Sequence, residues 1–427
     1  MDIHVVRAGE TVSSVAARYG VPAGILAGVN GVAPDAPLAV GQTLVVRHPR
    51  ELHTVASGES VYSIALHYGL SVRTLYQNNP ALGGRSALYP GQTLVIAYDD
   101  APLRTLAVNA YSYPFIRGGL LDAALPYLTY LTPFTYGINA DGTLLPLADE
   151  WLLAAAGQYR TAALMHLSTL TEEGRFDNAR STLILEDADA QDALVQSILE
   201  TVQARHYFGL DVDFEYVLPE QREAYAAFIT RLREALNPLG CPVIVALAPK
   251  TSAAQRGLLY EAHDYALLGA AANAVFLMTY EWGYTYGPPM AVAPLGQVRA
   301  VLDYALTAVA PEKIFMGIPL YGYDWPLPFV SGETRAESLS PVQAVERALR
   351  HDIAIQYDAA AQAPYYHYTD RGGCEHAVWF EDARSIEAKL RLADEYHLQG
   401  VGYWNLTRPF PQNWAVLASL FDIETLL

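Results

Sequence analysis

Cysteine is nearly absent from this sequence: Cys241 and Cys374 are the only two in 427 residues. Two thiols build neither a disulfide framework nor a cysteine-ligated zinc site, and each is expected to be a buried free thiol. Basic residues are also scarce, 27 against 45 acidic, which gives a net charge of −18. Such a chain repels phosphate backbones and anionic membranes, so nucleic acid and membrane are excluded as partners and a neutral or cationic polymer is favoured. No apolar run reaches the roughly 18 residues needed to span a bilayer. Met1 to Val6 lack the basic and apolar regions of a secretory signal, so either a signal has been removed from the sequence or the protein reaches its place of action without one. Charged residues make up only 17% against 52% hydrophobic, a balance that excludes disorder and predicts substantial cores.

Aromatic residues, by contrast, are abundant, with 29 Tyr and 6 Trp. Their flat amphipathic faces suit stacking on sugar rings, a first pointer to carbohydrate.

The first hundred residues repeat. The segment from His4 to Gly20 realigns on His53 to Gly69, with Gly9 and Gly58 49 positions apart (58 minus 9). Leu26 matches Leu75, Asn30 matches Asn79, and Gly41-Gln-Thr-Leu-Val-Val46 matches Gly91-Gln-Thr-Leu-Val-Ile96. Val12, Val15 and Ala16, like Val61, Ile64 and Ala65, sit at helical spacing behind a capping Thr11 or Ser60. Each copy therefore reads as a βααβ unit, residues 1–48 and 49–98. His4 and His53 belong to the repeat scaffold rather than to a metal site.

From Leu103 onward apolar strands alternate with helical stretches. Strands are expected near Leu106 to Ala110, Tyr130 to Phe134, Ala163 to Leu167, Gly209 to Phe214, Val243 to Ala248, Ala274 to Met278, Ile314 to Ile318 and Gly400 to Trp404. Eight such strands over residues 99–427 predict an α/β fold, a (β/α)8 TIM barrel. The stretch from Tyr323 to Asp382 is too long for an ordinary connection and reads as a small α+β insertion on the active-site side. His166, on an apolar strand, reads as a satisfied core histidine. Arg384, Lys389 and Arg391 read as the exposed face of the last long helix.

The fourth strand carries the chemistry. Asp211, Asp213 and Glu215 recur at spacing two, which places them on one strand face. Crowded like charges raise at least one carboxyl pKa, as a general acid near neutral pH requires. The bland alternative is a half-buried strand with Leu210, Val212 and Phe214 inward. A calcium loop starting at Asp211 fails because its sixth position is Tyr216, not glycine. A phosphoryl-transfer aspartate is unaccompanied by a Gly-rich phosphate loop.

Two resemblances follow. The repeats resemble LysM modules, which bind N-acetylglucosamine-containing glycans such as peptidoglycan and chitin. Residues 103–427 resemble the family-18 glycoside hydrolases: Phe208-Gly-Leu-Asp211-Val-Asp213-Phe-Glu215 answers the family's Asp-x-x-Asp-x-Asp-x-Glu. Met278-Thr-Tyr280-Glu281 answers Met-x-Tyr-Asp, and Trp404 answers the tryptophan flooring the sugar pocket. Three departures stand out: Phe208 replaces the first aspartate, Glu281 replaces an aspartate, and the third strand lacks Ser-x-Gly-Gly. With Thr279-Tyr-Glu-Trp-Gly-Tyr284 and the segment Tyr403 to Trp414, these resemble the spore cortex-lytic, spore-germination subgroup.

The resemblance implies a peptidoglycan hydrolase, an N-acetylglucosaminidase acting by substrate-assisted retention with no cofactor or metal. Glu215 is then the acid, Asp213 orients the substrate acetamide, Asp211 tunes Asp213, and Tyr280 holds the acetamide carbonyl. Met278, Glu281, Trp282, Asn109, Tyr111, Tyr136, Tyr321 and Trp404 are the expected substrate-binding residues, with Asp324 also at a strand end. The subgroup implies association with the spore coat, cortex or cell wall. A chitinase is the second reading; a glycan-binding lectin is the third, and the intact Glu215 weighs against it.

Overall fold

The computed structural model describes residues 1–427 apart from Glu172. Its first two units are copies of one another. In module 1, Asp2–Val5 and Thr43–Val46 pair antiparallel around helices Val12–Tyr19 and Ala23–Asn30. Module 2 repeats this with Pro49–Thr54, Val61–His67, Val72–Asn78 and Thr93–Tyr98.

The matching residues of the repeat do matching work. Thr11 and Ser60 each close a capping box on the first helix, satisfying backbone N–H groups that have no partner inside it. Asn30 donates to Leu26 and Val45 carbonyls and accepts from the Val45 N–H; Asn79 does the same with Leu75 and Val95. One buried amide thereby ties the second helix to the closing strand. His4 bonds Glu10 and Tyr19, and His53 bonds Glu59 and Tyr68, which makes both histidines scaffold.

Eight parallel strands follow: β1 Arg104–Ser112, β2 Tyr130–Pro133, β3 Ala162–Ser168, β4 Gly209–Asp213, β5 Val243–Leu247, β6 Ala274–Leu277, β7 Ile314–Pro319 and β8 Gly400–Trp404. Each pairs with the next, and β8 pairs back onto β1, so the sheet closes into a (β/α)8 barrel among the described residues. A short strand, Phe421–Ile423, extends the other end of β1 in parallel register. Helices cover the outside, so the strands are buried on both faces and read as near-continuous apolar runs. Inside, Gly402 leaves room for Phe276: a Cβ there would lie 2.4 Å from the ring.

Between β7 and β8 stands an antiparallel sheet of five strands among the described residues, running from Gly322–Leu327 to Glu375–Trp379, with helix Pro341–Arg350 against it. Its own core includes Leu339, Ala344, Tyr366 and Phe380.

The modules are not beads on a string. Val29, Val45, Val95 and Tyr98 belong to the same buried cluster as the barrel. Arg73 and Gln77 donate to the Pro126 carbonyl, and Gln412 reaches Asn30 and the Thr43 carbonyl.

Three expectations need correction. Lys389 is not on an exposed face: it is fully buried in an ion pair with Glu381 at 2.8 Å, while Arg384 binds Asp382 and Arg391 is exposed. Helical spacing marked the residue as polar, but its partner Glu381, just before the same helix, is enclosed with it. Asp324 is not a cleft residue; it is buried in the insertion among Arg347, Tyr368 and His376. Cys241 is buried as expected, whereas Cys374 is half-exposed.

Candidate active site

Asp211 and Asp213 lie on β4 with their neighbours in register on β3, Asp211 beside His166 and Asp213 beside Ser168. Glu215 falls just beyond the strand end, two residues past Asp213, at the lip of the barrel. Tyr216 follows at φ 58° and Glu281 sits at φ 69°, both left-handed backbone for non-glycine residues next to the acid. Such conformations persist only where the surroundings over-determine them, and they cluster at functional sites.

The carboxylates are buried to different depths. Asp211 is fully enclosed and accepts a 2.7 Å hydrogen bond from the Tyr111 hydroxyl; burial nonetheless pushes its carboxyl up to about 7. Asp213 is raised well above the ordinary range by burial and by the charges of Glu215 and Asp211. Glu215 is pushed up to about 7 by burial, then by Glu281. One Oδ1 each of Asp211 and Asp213 has no hydrogen-bond partner among the described residues. These groups are thus held partly protonated near neutrality, the state a general acid needs.

Two chambers meet at Glu215. The smaller, about 440 Å³, is walled by Asp213, Trp404, Tyr113 and Phe134. The larger, about 750 Å³, is walled by Tyr216, Tyr260, Trp282 and Tyr284. Glu215, Met278, Tyr280 and Glu281 line both. Trp404 is fixed by ring contacts to Tyr111, Tyr113 and Phe134 at 5.5, 5.8 and 4.9 Å. Tyr280 is buried, its phenol kept protonated by burial and by the neighbouring Asp213 and Glu215. Glu281 is held from behind by the hydroxyls of Tyr321 and Tyr323. Tyr323 opens the insertion, which touches the site through it rather than roofing either chamber.

Four expected substrate-binding residues line neither chamber; of these, Tyr111 and Tyr321 stand behind the walls as the bonding partners of Asp211 and Glu281. Asn109 is a layer deeper in the barrel, accepting from Thr132, because alternation sends it inward below Tyr111. Tyr136 turns away to bond Asp149 beside Arg205 and Tyr207. Tyr113 and Phe134 escaped the sequence reading, although Tyr113 continues the alternation from Tyr111. His166 is a core histidine with its Nδ1 2.6 Å from Thr135 Oγ1, yet its other nitrogen faces the aspartates. No group of three or more His, Cys, Asp or Glu side chains is disposed to hold a metal among the described residues.

A closed parallel barrel that carries an acid at the lip of its fourth strand, over an aromatic-walled cleft, is the frame of a glycosidase. The family model for glycosyl hydrolases family 18 matches residues 171–408, and the LysM domain model matches residues 4–47 and 53–97. The chain belongs to family 18 and is a glycoside hydrolase. It is 39% identical to the "Cortical fragment-lytic enzyme" of Bacillus subtilis (strain 168), over 99% of both chains. The crystal structure of the Bacillus cereus spore cortex-lytic enzyme SleL superposes with TM-score 0.84 at 38% identity, covering 99% of this chain and 98% of that one. A chitinase from Chromobacterium violaceum ATCC 12472 matches with TM-score 0.69 and 26% identity over 74% of this chain and 98% of its own.

Proposed function

We propose that the protein is an N-acetylglucosaminidase of spore-cortex peptidoglycan, cleaving the β-1,4 bond after N-acetylglucosamine with retention. The observation that carries this is the position of Glu215, raised to about 7, at the meeting of two chambers, one containing Asp213 and Trp404. A sugar seated on Trp404 puts its glycosidic oxygen at Glu215 and its 2-acetamido group toward Asp213 and Tyr280. Glu215 protonates the leaving oxygen while the acetamide oxygen attacks C1, so the nucleophile comes from the substrate. Asp213 accepts the acetamide N–H and offsets the charge that develops on the oxazolinium; Asp211 keeps a proton available to Asp213, and the pair titrates as a unit. Tyr280 donates to the acetamide oxygen. The larger chamber receives the leaving glycan.

The cortex assignment is supported by the full-length similarity to cortex-lytic enzymes, and it places the protein at the spore cortex, coat or cell wall, with the LysM modules holding N-acetylglucosamine glycan. Purified cortex, vegetative peptidoglycan and chitin oligomers digested in parallel test it through their kcat/KM ratios. Early products of retained configuration, preferentially from cortex, are expected. A preference for chitin oligomers overturns the cortex reading in favour of a chitinase, and inverted early products overturn the acetamide mechanism.

A further inference from the structure

The repeat supplies its own control, because the same residues can be compared in two copies. With the offset of 49, Tyr62 and Leu66 of module 2 correspond to Ser13 and Ala17 of module 1. Beyond a one-residue length difference the offset becomes 50 (91 minus 41), so Tyr89 corresponds to Ala39 and Gly91 to Gly41.

In module 1 the loop before the closing strand is built into the catalytic unit. Ala39 is buried in the core of the insertion with Leu339, Ala344 and Ile355. The Ile355 N–H donates to the Val40 carbonyl at 2.8 Å, and a Cβ on Gly41 would lie 2.0 Å from the Ile355 carbonyl oxygen. Ala36 and Pro37 border, with Val342 and Val345, an apolar cavity of about 350 Å³ at this seam. In module 2 the same stretch is free: Tyr89 is 72% exposed, and a Cβ on Gly91 meets nothing within 4 Å.

Free exposure coincides with the aromatic residues. Tyr62 and Leu66, both 68% exposed, share one face of helix Val61–His67 at i, i+4. Tyr89 lies across the turn that precedes that helix: the Gly91 N–H bonds the Val55 carbonyl at 2.8 Å, and residues 56–60 lead from there into the helix. Among the described residues only Phe115, at 75%, matches these three in exposure for a large hydrophobic side chain. A scattered apolar residue on a surface means little, but three on one 50-residue module, with small residues at all three sites in its copy, mark a contact surface.

We infer that module 2 is the glycan grip of the pair, presenting Tyr62 and Tyr89 to uncharged N-acetylglucosamine rings, and that module 1 is a fixed bracket locked into the insertion. The inference rests on the glycan-binding reading of the modules given above. It departs from the expectation from two copies alone, that each adds to binding by avidity.

The test is co-sedimentation of the full-length protein with insoluble peptidoglycan. The paired substitution Tyr62→Ala and Tyr89→Ala weakens apparent affinity about tenfold, the scale expected when stacked aromatics are lost. Tyr62→Phe with Tyr89→Phe, which keeps both rings, retains most of it. Ser13→Glu with Ala17→Glu on the matching face of module 1 leaves affinity within about twofold of the unsubstituted protein. Melting temperatures equal to the parent's show that each variant is folded. Unchanged sedimentation of the alanine pair, or an equal loss from the module 1 pair, overturns the inference while leaving the glycan reading in place. An unsubstituted protein that does not sediment overturns both.

Discussion

His166 Nε2 stands 3.8 Å from Asp213 Oδ2 and 3.9 Å from Asp211 Oδ2. That is beyond hydrogen-bonding range but within reach of an N–H dipole. Burial holds the imidazole down to about 3, so it is neutral at any working pH. In the tautomer that accepts from the Thr135 hydroxyl at Nδ1, the ring proton sits on Nε2 and points its positive end at the two aspartates. A dipole in that direction favours the ionised pair. His166→Leu is therefore expected to disfavour ionisation of the pair and move the acidic limb of kcat/KM to higher pH, by about half a unit or more. Superimposable pH profiles would remove His166 from this role.

Glu215→Gln keeps the shape of the side chain and removes the proton. Turnover is expected to fall by about two to four orders of magnitude, with glycan binding and melting temperature preserved. Steady-state kinetics on a soluble oligosaccharide, beside a melting curve, measure both.

Glu281 is the neighbour whose charge holds Glu215 up, after burial. A negative neighbour disfavours ionisation, so Glu281→Gln lowers the acid's pKa. The alkaline limb of the rate profile should then move to lower pH, while the hydrogen bonds from Tyr321 and Tyr323 are still accepted by the amide oxygen. An alkaline limb that stays in place or moves upward would contradict the assignment.

Asp211, raised from 3.8 to about 7 in the folded state, ties stability to pH. The folded protein holds this proton where the unfolded chain has lost it. Its contribution is complete below about pH 4 and disappears as pH rises through about 7. Asp211→Asn removes that dependence. The variant should melt higher than the parent at pH 8, and the gap should close toward pH 5, as thermal denaturation across that window will show.

Lys389 and Glu381 form a fully buried pair. Lys389→Met leaves a carboxylate that burial already disfavours without its partner, and about 3–5 kcal/mol of stability should be lost at neutral pH. Adding Glu381→Gln should restore most of it, which distinguishes an uncompensated charge from lost packing. Equal destabilisation in the single and double variants would refute this account.

The barrel was legible because each of its strands is a short apolar run set off by turn residues, and the carboxylate series because alternation alone put Asp211 and Asp213 on one face. Glu215 obeys the same count although it has left the strand. What escaped depends on where the fold places each residue. Lys389 looked solvated because its helix shows only its own polarity, not Glu381 opposite. Asn109, Tyr111, Tyr136 and Tyr321 share strand-end positions with the lining residues, and only the level of each in the barrel separates a cleft wall from a buried support. His166 was read as a core residue, which it is, but its second nitrogen gains meaning only from strand β4 beside it.

The pairing of Phe421–Ile423 with the start of β1 also bears on how the protein is made. Translation delivers the modules before β1, whose β8 edge stays unpaired while some 300 further residues are added. An open parallel edge of that length invites adhesion to other chains. The Leu103 N–H to Leu420 carbonyl bond, the Glu424 N–H to Leu106 carbonyl bond and the β8 ladder can form only after residues 400–424 have been added. Ribosomal products cut short before residue 400 would therefore carry a sticky seam, which closes only once residues 400–424 have emerged.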